Sequence, residues 1–420
     1  MVAKKQPECL DNTWDNVPNP IVREAYNVFL SKEKLDNLES KRKKIELLKT
    51  QRLLSPIKRM VSCNRVPIAV ATNEKKNESD IVATINVTKH GHYIEGMTTC
   101  DNGYCVHCSQ TKKSKRAKKI RDGIKQLHHK KGYTGFFVTL TMPRSNDLKK
   151  QLDHCRLGWR NIQRRLDREN LEYETVKSYD ITFSNVTGHG TYHLHIHSIF
   201  MIQCVNENLI NKIIKSAWLG SVKNAELQCQ DIQRIKCRKA IAEYTSKMSG
   251  LSYEIFNQSD KTTKTWKSKS LVELLELAGQ NNVWAIKTYV DFIDTMKRKR
   301  TLTFSRNWPK EEEEEEEKDT VILKKLEVPL IWHRLIQNYY EDIGFLCTVG
   351  IELGGKIGNA FYETMQWYFE SDSYLKIKND ILGCCDQYFY ILIQDEILEV
   401  INEYYKKYMD ILKTNNYTVA

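Results

Sequence analysis

The segment Tyr192-His193-Leu194-His195-Ile196-His197-Ser198-Ile199-Phe200 restricts this chain more than any other. Its polar and apolar residues alternate with a period of two, which a strand satisfies and a helix does not. On a strand the three imidazoles project from one face, while Leu194 and Ile196 enter a core from the other. A second β-type run, Ser178 to Val186, precedes it, with Gly188 and Gly190 between. The two runs read as an antiparallel hairpin over 178–186 and 191–203.

The flanking segments supply the rest of a layer. Thr134 to Met142 is a β-branched and aromatic run closed by Pro143, which predicts a buried strand. Leu148, Leu152, Cys155, Leu157, Trp159, Ile162 and Leu166 form an apolar stripe, so a helix is expected over Asp147 to Glu169. A helix near 207–218, a strand near 226–235 and a helix near 236–248 follow. The fold class expected is α+β: an antiparallel central sheet with helices packed on it, plus a mostly helical C-terminal module.

Outside this core the chain changes character. Leu35 to Met60 reads as a Lys/Arg-rich helical arm stopped by Pro56, and Val66 to Tyr93 as short β-rich runs. Glu311 to Glu317 is an uninterrupted acidic run, best read as a linker. Val321 to Ala420 is aromatic-rich with helical spacing. Within it, Gly350 to Ile357 comes close to a phosphate-binding loop. Ile357 stands where a hydroxyl would hold Mg²⁺, and the 63 residues that follow are too few for a nucleotide-hydrolysing core, so a Gly-rich turn into a helix is expected. The organisation expected is therefore 1–95 basic N-terminal region, 96–133 cysteine cluster and basic helix, 134–305 main domain, 306–320 acidic linker and 321–420 helical module.

The residues that carry chemistry lie in the middle of the chain. His193, His195 and His197 form an array suited to a cation, and Asp180, on the partner strand of the hairpin, can add an oxygen ligand. Imidazole with carboxylate suits Mg²⁺ or Mn²⁺ as well as Zn²⁺. A strand whose wet face merely carries histidines is the plain alternative. In Ala240-Ile241-Ala242-Glu243-Tyr244-Thr245-Ser246-Lys247, Tyr244 and Lys247 stand three apart and share a helix face. Tyr244 is the candidate nucleophile, and Lys247 a cation that would stabilise its phenolate. Upstream, Cys100, Cys105 and Cys108 have zinc-like spacing, which predicts a structural Zn²⁺ with a fourth ligand from Cys63, His90, His92 or His107. Next comes a basic amphipathic helix, Lys112 to Lys131, holding ten Lys or Arg against one acid, Asp122. Its Lys112, Lys113, Lys115, Arg116, Lys118, Lys119 and Arg121 are candidate DNA-phosphate contacts.

Composition agrees with an anionic partner. The net charge is +12 and the sequence pI near 8.9. The N-terminal stretch is charged and has no apolar h-region, and no uninterrupted apolar run of spanning length occurs, so a cytoplasmic protein without a membrane partner is expected. The 12 cysteines then read as reduced thiols with a metal site rather than disulfides.

In order and spacing these motifs resemble the rolling-circle plasmid replication initiators, the single-tyrosine His-hydrophobe-His endonucleases. Phe136-Phe137-Val138-Thr139-Leu140-Thr141-Met142-Pro143 resembles the family's first strand motif, Tyr192 to Phe200 its histidine motif, and Glu243-Tyr244-Thr245-Ser246-Lys247 its tyrosine motif. Asp180-Ile181-Thr182 and Lys299-Arg300-Thr301-Leu302-Thr303-Phe304-Ser305 are similar to further short elements, and Cys100 to Cys108 to an N-terminal cysteine element, so the resemblance spans Cys100 to Ser305. It implies a metal-dependent DNA nicking and closing enzyme. Tyr244 would attack an origin phosphodiester in single-stranded DNA, keep the 5′-phosphate and free a 3′-hydroxyl as primer. The host's helicase and polymerase would be its further partners in a plasmid-bearing cell. Two positions depart from the family: Ala240 where some members carry Glu one turn before the tyrosine, and Leu194 for the usual proline. The rival expectations are a transposase or recombinase of the same superfamily and a non-catalytic, zinc-containing nucleic-acid-binding protein.

Overall fold

The structure, a computed structural model, describes residues 32–89, 91–185, 191–203, 206–236, 268–309, 321–353, 355–370, 397–407 and 410. In chain order, helices α1 (Lys32–Leu54), α2 (Lys58–Ser62) and α3 (Ile68–Ala71) lead into strands β1 (Ile81–Thr88) and β2 (Gly91–Glu95). Then come α4 (Val106–Thr111), α5 (Lys113–Lys131), β3 (Thr134–Thr141), α6 (Leu148–Arg168), β4 (Tyr173–Phe183), β5 (Tyr192–Ile202) and α7 (Glu207–Leu219). The described chain continues with β6 (Asp231–Arg234), α8 (Leu271–Gly279), α9 (Val283–Met296), β7 (Leu302–Phe304), β8 (Ile322–Pro329), α10 (Leu330–Ile336), α11 (Tyr340–Leu353) and α12 (Gly355–Phe369). The fold is α+β, with two antiparallel sheets and many helices. No helix among the described residues is long and apolar enough to cross a membrane.

The chain divides into two compact units, each discontinuous in sequence, where the sequence suggested successive segments. One comprises 1–42, 64–98 and 318–420, the other 43–63 and 99–317. In the first, β1 lies between β2 and β8 in a three-stranded sheet. The mostly helical module expected over 321–420 therefore begins with a strand. Leu326 and Val328 are buried on it while Glu327 between them is exposed, a period-two pattern that the sequence also allows to be read at helical spacing. On β2, His92 Nε2 meets Glu341 Oε2 of α11 at 2.9 Å, and Asn64 Nδ2 donates to Glu341 Oε1 at 2.5 Å. This buried polar cluster is satisfied internally, as low dielectric requires.

The second unit holds the five-stranded sheet, in the order β6-β3-β5-β4-β7, with β5 in the middle. The expected hairpin is present, with Phe183 opposite Tyr192 and Asp180 opposite His195. β4 starts at Tyr173, earlier than its apolar pattern suggested, and the strand expected over 226–235 shrinks to 231–234 because Leu227–Cys229 turns as a 3₁₀ helix. α6 is capped as its sequence implies: the Asp147 side chain accepts from the Lys150 N–H. Asn206 does the same for α7, and Ser270 with Glu273 forms a capping box on α8.

The two faces of this sheet differ. Phe136, Val138, Leu140, Leu194, Ile196 and Phe200 point into the main core with α6, α7, α8 and α9. A side chain at Gly158 would put its Cβ 2.7 Å from the Trp218 ring, so α6 and α7 pack closely only because that position is glycine. On the opposite face, Ile120, Ile124 and Leu127 of α5 cover Phe137, Val176, Ile199 and Met201, together with Trp308. The parity of the strands puts His193, His195, His197, Asp180, Thr139 and Thr141 on this same face, beyond the α5 contact.

Candidate active site and metal centre

The histidines stay half-buried while their neighbours in sequence are buried, giving the alternation expected of β5. The partner strand then fixes each ring. Thr141 Oγ1 lies 3.0 Å from His195 Nδ1, and Thr139 Oγ1 lies 3.2 Å from His197 Nδ1. These contacts follow from register, since Thr141 stands opposite His195 and Thr139 opposite His197 on β3. With Nδ1 engaged, Nε2 is the nitrogen left to each ring for a ligand. His197 Nε2 reaches Asp180 Oδ2 at 3.3 Å, and Asp180 remains 42% exposed.

Electrostatics favour the neutral form of His193 and His195. Burial pushes His193 down to about 4, helped by His195 and the Arg144 guanidinium, and burial lowers His195 as well. Neutral imidazoles can bind a cation, and protonated ones cannot. The His193 and His195 rings meet edge-on with centroids 4.2 Å apart, and the next step to His197 is 6.4 Å, with the planes nearly parallel. Donor atoms along a strand therefore spread out, and among the described residues these side chains do not converge three at a time as metal ligands.

Several positioning residues were not found from the sequence. Gln230 bonds both polar groups of the Thr141 backbone, accepting from its N–H at 2.8 Å and donating to its carbonyl at 3.2 Å. Trp218 Nε1 donates to the same carbonyl at 3.3 Å. Arg144 follows β3 and donates from Nη2 to Ser268 Oγ at 2.8 Å, while its buried Nη1 finds no acceptor. Arg144 thus presents a buried guanidinium N–H close enough to His193 and His195 to disfavour their charged forms. The only signal in the sequence was the position of Arg144 just after the first strand motif.

The cysteines, by contrast, close into a complete set. Cys63, Cys100, Cys105 and Cys108 are all buried, and their sulfurs lie within 4.8 Å of one another. The Cys63–Cys108, Cys100–Cys108 and Cys63–Cys105 sulfur pairs are 3.4, 3.6 and 3.7 Å apart, and all four residues are free thiols. Cys63, at the end of α2, supplies the fourth sulfur. His92 is engaged by Glu341, and His90 lies outside the described residues. Such a cluster cannot hold four protons comfortably. Hydrogen bonds from neighbouring thiols pull Cys108 and Cys100 down, while those to Cys63 and Cys105 push them up. Four buried sulfurs at these separations can hold a metal ion.

The basic helix is present, but its cations do different work. Lys112 pairs with Asp101 at 2.5 Å, and Lys119 Nζ sits 4.9 Å over the Phe304 ring. Arg116 turns toward the cysteine loop, Lys115 and Arg121 are exposed, and Lys118 is half-buried. The side chain of Lys113 is outside the description, as are Tyr244 and Lys247, within 237–267. The chain matches no known protein family, no curated protein and no solved structure.

Proposed function

We propose that this chain is a metal-dependent DNA nicking and closing enzyme that initiates rolling-circle replication in the cytoplasm of a plasmid-bearing cell. The observation that carries this reading is the row of imidazoles on the middle strand of an antiparallel sheet, two of them oriented through Nδ1 by threonines and adjoined by Asp180. His197 with Asp180 would hold a divalent cation and leave most of its coordination to water and phosphate oxygens, as Mg²⁺ and Mn²⁺ prefer. His195 extends the same face. The cation would supply charge stabilisation at the scissile phosphate. Arg144 Nη1 would donate to a non-bridging phosphate oxygen, in the manner of a positioned oxyanion donor. The Tyr244 phenolic oxygen would attack phosphorus, the 3′-oxygen would leave and take a proton, and the 5′-phosphate would stay on the tyrosine. One phosphodiester is exchanged for another, so the reverse reaction rejoins the strand. The four-cysteine site would hold structural Zn²⁺ and tie α2 to the loop before α4.

A second reading, a zinc-containing nucleic-acid binder without catalysis, is favoured by the separation of the histidine donors. Incubation with single-stranded DNA and Mn²⁺ or Mg²⁺, scored on a denaturing gel, separates the two. The nicking enzyme yields cleaved, protein-linked DNA that EDTA prevents, and the binder yields intact DNA.

A further inference from the structure

Next to the four-cysteine site the second unit has a cleft of about 760 Å³ whose charge is almost entirely positive. Lys58 and Arg59 of α2 line one side, Arg116 of α5 another, and Lys297 to Arg300, the loop between α9 and β7, a third. Asp101 is the one carboxylate on the lining, and it is already paired with Lys112. Arg59 donates to the Thr99 carbonyl at 3.3 Å. Arg116 feels the Asp101 carboxylate and the Cys108 sulfur, while Lys58, Lys297, Arg298, Lys299 and Arg300 make no ion pair among the described residues. Like charges brought together repel, and beyond Asp101 and the cysteine sulfurs the lining offers these cations no anion.

The backbone bends to build this cleft. Lys299 N–H bonds to the Met296 carbonyl at 3.0 Å, closing a tight turn in which Lys297 has φ −52° and ψ 130° and Arg298 has φ +62°. These are the signs of a type II turn, whose third position calls for glycine. Arg298 occupies it instead and is strained there. The turn is held against the cysteine loop through Gly103, where a Cβ would lie 2.0 Å from Thr301 Oγ1. A basic side chain kept where glycine would be easier, on the wall of a cleft lined with unpaired cations, is the second observation that points to an anionic ligand.

We propose that this cleft binds the sugar–phosphate backbone of single-stranded DNA. A positively charged groove along the backbone is how proteins hold single strands without reading sequence. The choice of DNA as the anion rests on the function proposed above, but the measurement does not depend on cleavage.

The test is fluorescence anisotropy of the full chain with a labelled oligothymidylate of about 20 nucleotides, in EDTA, across a range of KCl. For single strands the slope of log K against log salt is about −0.7 per neutralised phosphate. The triple variant Lys297→Gln, Arg298→Gln, Arg300→Gln should therefore flatten the slope by about 2 and weaken binding about 100-fold near 0.1 M salt. A control triple on α6, Lys149→Gln, Lys150→Gln, Arg156→Gln, should bind within about twofold of the parent. If the cleft triple melts below the parent, single variants at the exposed Lys297 and Arg300 carry the same slope test, at about 0.7 each. Arg298→Gly gives a signature that a structural role would not: it relieves strain, so the protein melts no lower, yet it binds DNA more weakly. Parent-like binding by the cleft variants, an equal loss in the control triple, or tighter binding of oligouridylate than of oligothymidylate would overturn the proposal. A chain that forms no covalent adduct but loses binding in the cleft variants would overturn the nicking reading alone.

Discussion

The four cysteines and the three histidines are both rows of metal-type donors, and the protein treats them in opposite ways. The cysteine sulfurs come from a helix end, a loop and a short helix, converge from separate backbone directions, and are sealed from solvent. The histidines come from a single strand, point the same way at strand spacing, and stay half-exposed on a face that α5 covers only in part. Convergence from several elements gives a closed set of donors, which would suit a structural metal; projection from one strand leaves donors apart, and under the proposed function such a face would leave positions open for water and phosphate. Conserving geometry at the open site falls to neighbours such as Thr139, Thr141, Gln230 and Arg144, which orient rings and strand without ligating.

The sharpest way to break this contrast is to remove one donor from each site. Cys105→Ser should cost on the order of 5 kcal/mol, a fraction of the ~10–16 kcal/mol that structural Zn²⁺ contributes. The purified parent should contain about one zinc by elemental analysis, and the variant should melt far lower or fail to fold. Zinc-free, fully folded parent protein would remove the closed site. His195→Ala and His197→Ala should instead lower cleavage by about 10³-fold or more with melting and DNA binding near those of the parent, since phosphate contacts by Lys and Arg need no cation. If both variants cleave normally, the open site has no catalytic role.

Smaller effects sharpen the open site. Arg144→Gln should slow cleavage by about 10²-fold, the loss seen when one preorganised donor to a developing oxyanion is removed, and leave single-stranded DNA binding within a few fold. Equal losses in binding and cleavage would make Arg144 a binding residue only. The pH dependence is gentler. His193 titrates near 4 in the folded chain against 6.5 unfolded, so between these values the unfolded state binds more protons and stability rises with pH. The stability at stake is fully present above pH 6.5 and is lost as pH falls toward 4. After allowance for partial exposure it is about 1–2 kcal/mol, and His193→Gln should lessen that acid loss in melts taken from pH 7 to pH 4.

What the sequence made legible was parity. Period-two alternation put His193, His195 and His197 on one face, and the hairpin brought Asp180 to it, because those rules are local. Cys63 was only one of four possible fourth ligands, because it stands 37 residues before Cys100 and reaches the cluster through the fold. Thr139, Thr141 and Gln230 were invisible for the same reason: their roles depend on β3 pairing with β5 and on a turn before β6. The strand β8 was lost among helical spacings because its partner β1 lies more than 200 residues earlier in the chain.

The most direct test of the account is the identity of the residue that carries DNA. Incubated with metal and single-stranded DNA, then digested and mapped by mass spectrometry, the parent should yield one peptide bearing a 5′-phosphoryl nucleotide on Tyr244. Tyr244→Phe, which keeps the ring but loses the oxygen, should fold and bind DNA yet form no adduct, and Lys247→Ala should form it more slowly. An adduct on Tyr179, Tyr253 or any residue other than Tyr244, or cleavage with no adduct at all, would contradict the account.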